Sequence, residues 1–260
     1  MNPLLDLSQR DEPIYNGWCT IPSSWSAEVM ARAGWHSVTL DLQHGLIDYS
    51  HVVPMFQAIQ LTGTAPLARA PWNEPGIVMK LLDAGALGVI CPMVNTAEEC
   101  ARFVGACRYP PIGYRSYGPL RARAAFGTDY EHSAQLSTLA FAMIETAEAL
   151  RHLDAILDVP GLSGVYVGPA DLSLSLGSAE RSDPTNPHVL DAIARVAMAC
   201  RARGLIAGIH CGSSAFAHQM IALGYRFITV STDSALLSQA ARDVLEQLRG
   251  GRSSSQGGVY

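Results

Sequence analysis

Glu145 and Asp171 are the two residues of this chain whose type and spacing point most directly to chemistry. Glu145 ends the apolar run 139–144, and Asp171 follows the apolar run and turn 164–170, with one helical stretch between the two runs. As neighbouring strands of a parallel α/β fold, the runs would place both carboxylates at the carboxyl edge of the sheet, where such folds keep their sites. Two convergent carboxylates are what a hard divalent cation such as Mg²⁺ asks of a protein. Either acid could instead cap the helix that follows it, as Asp171 would for Leu172-Ser173-Leu174. Acids gathered in a cleft favour the functional reading.

Other run ends carry polar groups as well. Asp41 and His44 follow the run 37–40, Arg69 ends the run 66–69, and His210 with Cys211 closes the run 206–210. An acid close to a histidine can orient the imidazole as a base. Taken alone, His44 would be a hydrogen-bonded structural histidine and Arg69 an ion-pair partner. On a rim shared with a cation, Arg69 could hold a developing oxyanion. His210 and Cys211 would shape the wall of the pocket.

What is missing narrows the mechanism. Lys80 is the only lysine among 18 basic residues, and it lies inside a helical stretch, not at a strand end. A Schiff-base mechanism therefore has no lysine to use. A cation that polarises a carbonyl and stabilises an enolate is the alternative. Glu145 and Asp171 would supply two oxygen ligands, water some of the others, and a 2-oxo acid could chelate through its carboxylate and ketone oxygens. The turn Gly168-Pro169-Ala170-Asp171 leads into a helix start, whose free N–H groups suit the substrate carboxylate. His44 would act as base through water, and Arg69 would steady the enolate oxygen.

These residues need a scaffold that brings run ends together. Strand-length apolar runs recur at 17–21, 37–40, 66–69, 88–93, 139–144, 164–168, 206–210 and 226–230. Amphipathic stretches follow at 25–33, 51–61, 75–84, 97–107, 147–157, 188–203, 214–223 and 235–248. Eight strand–helix units predict a single (β/α)₈ TIM barrel over residues 1–249. An open doubly wound sheet is the competing fold, but no GxGxxG turn follows the first strand. The connection 109–138 breaks the rhythm and reads as a functional loop, and the Ser/Gly-rich segment 250–260 as a flexible tail.

Composition bounds the rest. A chain of 260 residues with 48% hydrophobic and 16% charged residues can bury one large core. Net charge is −5 and pI about 5.9, so no nucleic-acid partner is expected. No basic flank with an apolar run opens the sequence and no stretch is apolar enough to span a membrane, so a cytoplasmic enzyme without a membrane partner is expected. The six cysteines form no CxxC pair and read as reduced, buried thiols.

Asp41-Leu42-Gln43-His44, Arg69, 80–85, Pro92-Met93-Val94, 108–115, Ile144-Glu145-Thr146 and 168–173 together resemble the metal-dependent class II pyruvate aldolases. This is the hydroxy-ketoacid aldolase family, related to the citrate lyase β subunit, and the likeness runs from about 17 to 248. The resemblance implies a barrel whose last helix is exchanged between subunits, in a homohexamer built as a trimer of dimers. It implies Glu145 and Asp171 as ligands of Mg²⁺, Mn²⁺ or Co²⁺, His44 as base and Arg69 as transition-state stabiliser. Asp83 from a neighbouring subunit would support His44, although within one chain it ends a helix at the opposite edge of the barrel. Many members have Glu in place of Gln43 and Gln in place of Met143, so a polar substrate contact is missing at Met143. His210 and the loop 114–123, with Arg121 and Arg123, are candidates for choosing the aldehyde.

The expected reaction is reversible cleavage of a 4-hydroxy-2-oxo acid to pyruvate and an aldehyde through a metal-stabilised enolate. A lyase acting on a CoA thioester or a 2-oxo diacid decarboxylase would share that chemistry. A non-catalytic barrel that binds a small acid or a partner protein is the third reading.

Overall fold

The computed structural model describes residues 2–250. Eight parallel strands close into a barrel in chain order: β1 Ile14–Cys19, β2 Ser37–Asp41, β3 Ala65–Arg69, β4 Gly88–Cys91, β5 Leu139–Ile144, β6 Gly164–Val167, β7 Ile206–Cys211 and β8 Phe227–Val230. The expected (β/α)₈ architecture is therefore observed.

Alternation along each strand decides which residues face the chemistry. Leu139, Phe141 and Met143 of β5 enter an inner cluster with Trp18, Leu67, Ile90, Tyr166 and Phe227. Ala140, Ala142 and Ile144 of the same strand face outward into the larger core beneath the helices. Period two then carries Glu145, one residue past β5, to the inner side at the carboxyl end of the barrel.

The start of β1 and a first helix escaped the sequence. β1 begins at Ile14, where it pairs with Phe227 of β8. Its start is masked because Tyr15 is exposed while Asn16 is fully buried, which is not an apolar run. A first helix, α1 Pro3–Gln9, closes the amino end of the barrel. Leu4 plugs the inner cluster, and Asn2 Nδ2 donates to the carbonyls of Leu87 at 3.0 Å and Ser137 at 2.9 Å.

The long connection 109–138 contains two short helices, Leu120–Phe126 and Tyr130–Ser137. They pack at the amino side of the barrel, where Arg121 donates to the Ala84 carbonyl at 2.7 Å and to Gln60.

Among the described residues, the last helix, Asp233–Gly250, is held at its first turn. Asp233 is buried and accepts from the Thr20 amide and hydroxyl, the Ile21 amide and the Ser26 hydroxyl. Every residue from 234 to 250 is exposed, including Leu237, Val244, Leu245 and Leu248 along one stripe. Gly250 closes this helix, and the rest of the expected tail, 251–260, lies outside the described residues.

Candidate active site

A cavity of about 270 Å³ opens at the carboxyl end of the barrel. Asp41, His44, Arg69, Met143, Glu145, Gly168, Ala170, Asp171 and His210 all line it. Trp18, Tyr166 and the segment 181–183 complete its wall.

Glu145 is the most buried of the acids that line the cavity. Only 1% of it is exposed, and Oε1 accepts the Met93 amide at 2.7 Å. Burial pushes its carboxyl up to about 7, with the Asp171 charge adding to the rise and the Met93 amide opposing it. The buried carboxylate thus sits beside a second negative charge. That arrangement is costly alone and becomes favourable around a cation.

The backbone confirms the crowding. A Cβ at Gly168 would stand 2.6 Å from Glu145 Oε2 and 3.0 Å from Met143 Cε. Only glycine lets β6 leave the barrel this close to the carboxylate. No cluster of three His, Cys, Asp or Glu ligands forms among the described residues. Glu145 and Asp171 offer two carboxylates, a set that would fit a hard cation keeping water and substrate oxygens in its remaining positions.

Gly168→Ala must therefore displace the Glu145 carboxylate. Mn²⁺ affinity measured by calorimetry is expected to fall roughly 10–100-fold in the folded variant. Unchanged affinity would separate Glu145 from the cation.

The Asp41–His44 pairing expected from sequence is corrected by the structure. Asp41 sits opposite Arg69 in the β2–β3 register. Its Oδ1 accepts Arg69 Nε at 2.9 Å, and Oδ2 accepts Arg69 Nη2 at 2.5 Å. Trp18 Nε1 adds a bond to Oδ2 at 3.2 Å, and the Gln43 and His44 amides bond Oδ1 at 3.0 and 3.2 Å. Five donors saturate a carboxylate with about four lone-pair sites. Asp41 thus grips the His44 backbone, and the exposed imidazole is positioned through the loop rather than by a direct acid contact. Burial opposes the Asp41 charge, but Arg69 and the two amides outweigh it and hold its carboxyl below the ordinary range.

Arg69 is fixed on two sides. Asp41 takes its guanidinium in a bidentate grip, and the Trp18 ring lies 5.0 Å beneath it. This leaves a rigid positive group in the cavity, suited to an oxyanion.

The model of the HpcH/HpaI aldolase/citrate lyase family matches residues 18–240. The chain belongs to this family.

A hydroxypyruvate/pyruvate aldolase of Rhizorhabdus wittichii is 43% identical over 249 residues, covering 96% of this chain and 99% of its own length. A 4-hydroxy-2-oxo-heptane-1,7-dioate aldolase of Salmonella dublin is 35% identical over 263 residues, covering 100% and 99%. The crystal structure of an HpcH/HpaI family protein from Burkholderia cenocepacia superposes with a TM-score of 0.89 at 32% identity, over 96% of this chain and 100% of that one.

Within this HpcH/HpaI chain, Asp83 stands apart from the cavity. It ends the helix Pro75–Asp83 and pairs with the buried Arg115 at 2.6 Å. Arg121 and Arg123 do not line the cavity either: Arg121 is engaged at the amino side, and Arg123 bonds the Tyr117 hydroxyl at 2.9 Å. Trp18 and Tyr166 were missed because both read as filler within apolar runs. Asp183 was missed because it lies in an unpatterned loop. Its carboxylate accepts the Gly212 amide at 2.6 Å and ties that loop to the end of β7. Cys211 is buried and free, as are the other five cysteines.

Proposed function

We propose that this carbon–carbon lyase is a metal-dependent aldolase that reversibly cleaves a 4-hydroxy-2-oxo acid to pyruvate and an aldehyde. The observation that carries the reading is Glu145, buried beside Asp171 in the same cavity as the fixed Arg69 guanidinium. Glu145 and Asp171 would hold Mg²⁺, Mn²⁺ or Co²⁺. That cation would supply Lewis-acid polarisation of the 2-oxo carbonyl, which favours the enolate of pyruvate.

The chain's own groups do the rest. Gly168, Ala170 and Asp171 open a helix whose first amides lack intrahelical acceptors, so they receive the substrate carboxylate. Arg69 stabilises negative charge on the enolate oxygen. His44, exposed on its loop, moves the proton of the 4-hydroxyl group through water. Met143 offers no hydrogen bond, so the 2-oxo acid is oriented by the carboxylates and the turn. Asp83, supplied by a neighbouring subunit, supports His44.

The unpacked stripe of the last helix supports exchange of that helix with a partner subunit and assembly into a homohexamer. Light scattering should give the mass of six chains, and a monomer mass would reject this. Six free, buried thiols suit the reducing cytoplasm, where we place the enzyme. No described helix is long and apolar enough to cross a membrane.

A panel of 4-hydroxy-2-oxo acids tests the reaction. Pyruvate release that requires a divalent cation and stops on chelation is expected. Turnover confined to a CoA thioester, or decarboxylation of a 2-oxo diacid without aldol cleavage, would overturn the reading.

A further inference from the structure

A line of buried polar side chains climbs the barrel interior and ends on His210. Asn16 in β1 is fully buried. Its Oδ1 accepts the hydroxyls of Ser37 at 2.8 Å and Thr39 at 3.0 Å, and its Nδ2 donates to Thr229 Oγ1 at 2.9 Å. The Thr229 side chain lies beside the phenol of Tyr166. The Tyr166 hydroxyl lies 3.3 Å from His210 Nδ1. Strand register brings these groups together: Asn16 is level with Thr229 of β8, and Thr229 with His210 of β7.

The line has a direction. Two hydroxyl donors on Asn16 Oδ1 turn its amide nitrogen toward Thr229. That amide can only donate, so Thr229 Oγ1 accepts from it, and among these side chains the acceptor left to the buried Tyr166 hydroxyl is His210 Nδ1. The Tyr166 hydrogen then goes to His210 Nδ1. The reverse assignment, with the proton on Nδ1, would leave the Tyr166 hydrogen unmatched in a buried site, at a cost. Burial, helped by the Arg69 charge, holds the His210 pKa down at about 4, so the ring is neutral and carries one N–H.

We propose that the Tyr166 hydroxyl fixes His210 as the Nε2–H tautomer, so that it donates to the aldehyde partner and selects aldehydes with a hydroxyl next to the carbonyl. The preference rests on the aldolase reading above. Glu145 and Asp171, on the β5 and β6 side, claim the pyruvate end of the cavity. The wall left for the aldehyde is that of β7, β8 and β1, where His210 stands edge-on to Trp18 at 5.2 Å. A methyl group there would leave the Nε2–H without an acceptor. A hydroxyl oxygen satisfies it, and sites built around a buried donor discriminate in this way. Tyr166 is a positioning residue that acts through His210.

Two measurements test this. Nitrogen-15 NMR of the full-length protein should show His210 protonated at Nε2 with Nδ1 accepting a hydrogen bond. Tyr166→Phe should let the two tautomers mix. The second readout is the ratio of kcat/KM for pyruvate addition to glycolaldehyde over its apolar isostere propionaldehyde. That ratio should favour glycolaldehyde in the wild type and fall roughly tenfold in His210→Leu. It should drop several-fold in Tyr166→Phe and recover in His210→Gln, whose amide N–H replaces the donor. A wild-type Nδ1–H tautomer, or a ratio unmoved by both His210→Leu and Tyr166→Phe, would overturn the proposal. A wild type that adds pyruvate to neither aldehyde sinks the aldolase reading and the substrate preference with it, while the tautomer stands or falls on the NMR alone.

Discussion

Glu145→Gln is expected to cut metal-dependent pyruvate release by on the order of 10³-fold or more, with the barrel intact. Lewis-acid stabilisation of the developing charge is worth several kcal/mol, and losing several kcal/mol corresponds to a factor of that size. The substitution is close to isosteric. The amide oxygen can still accept the Met93 amide, which bonds Oε1 at 2.7 Å in the native site. What the variant loses is the buried negative charge that, with Asp171, makes the site attractive to a divalent ion. Removing that charge from a position only 1% exposed relieves the fold of an unpaired ion when the cation is absent. Thermal unfolding of the metal-free variant should therefore occur at or above the wild-type temperature, and added Mn²⁺ should no longer raise it. A variant that keeps most of its turnover would place the cation, or the chemistry, elsewhere.

Arg69→Ala should damage both chemistry and stability. The guanidinium is the cationic side chain gripped by Asp41 in the cavity, and loss of one such donor to a developing oxyanion costs about 10²–10³ in kcat. Its removal also leaves Asp41, 2% exposed in its side chain, without its counter-ion. Breaking a buried pair from one side costs about 3–5 kcal/mol. Three donors remain on Asp41, namely Trp18 and the Gln43 and His44 amides, so the lower end is expected. The fall in kcat should exceed any rise in KM, because the interaction belongs to the transition state. Arg69→Lys keeps the charge but cannot make the fork, and should recover stability only in part. Urea unfolding together with steady-state kinetics reads both effects. A stability loss with kcat unchanged would reduce Arg69 to a structural partner of Asp41.

The two variants also show where sequence reading reached and where it stopped. Glu145 and Asp171 were legible because both follow strongly apolar strands, and the period-two alternation of β5 aims Glu145 inward. Arg69 was legible as a strand end. The partner of Asp41 was not. Closeness in sequence pointed to His44, three residues away, whereas strand register places Arg69, 28 residues away, directly across from it. Register is a property of the closed barrel and leaves no local trace. The same reason hid the Tyr166–His210 pair, whose members come from β6 and β7. The start of β1 was hidden because Asn16, a polar residue inside the barrel, breaks the apolar pattern that marks a strand. The helix 235–248 was legible from its own periodicity. That its apolar stripe is left uncovered by the described residues could be learned only from the fold.

The central claim is that Glu145 and Asp171 hold a cation that turns bound pyruvate into an enolate. Exchange of the pyruvate C3 protons in deuterated water, followed by proton NMR, tests it without any knowledge of the aldehyde. Metal-loaded wild type should exchange them, chelation should stop the exchange, and Glu145→Gln should not restore it at any Mn²⁺ concentration that loads the wild type. Metal-loaded protein that leaves the C3 protons in place, or an exchange rate indifferent to chelation, would contradict the account.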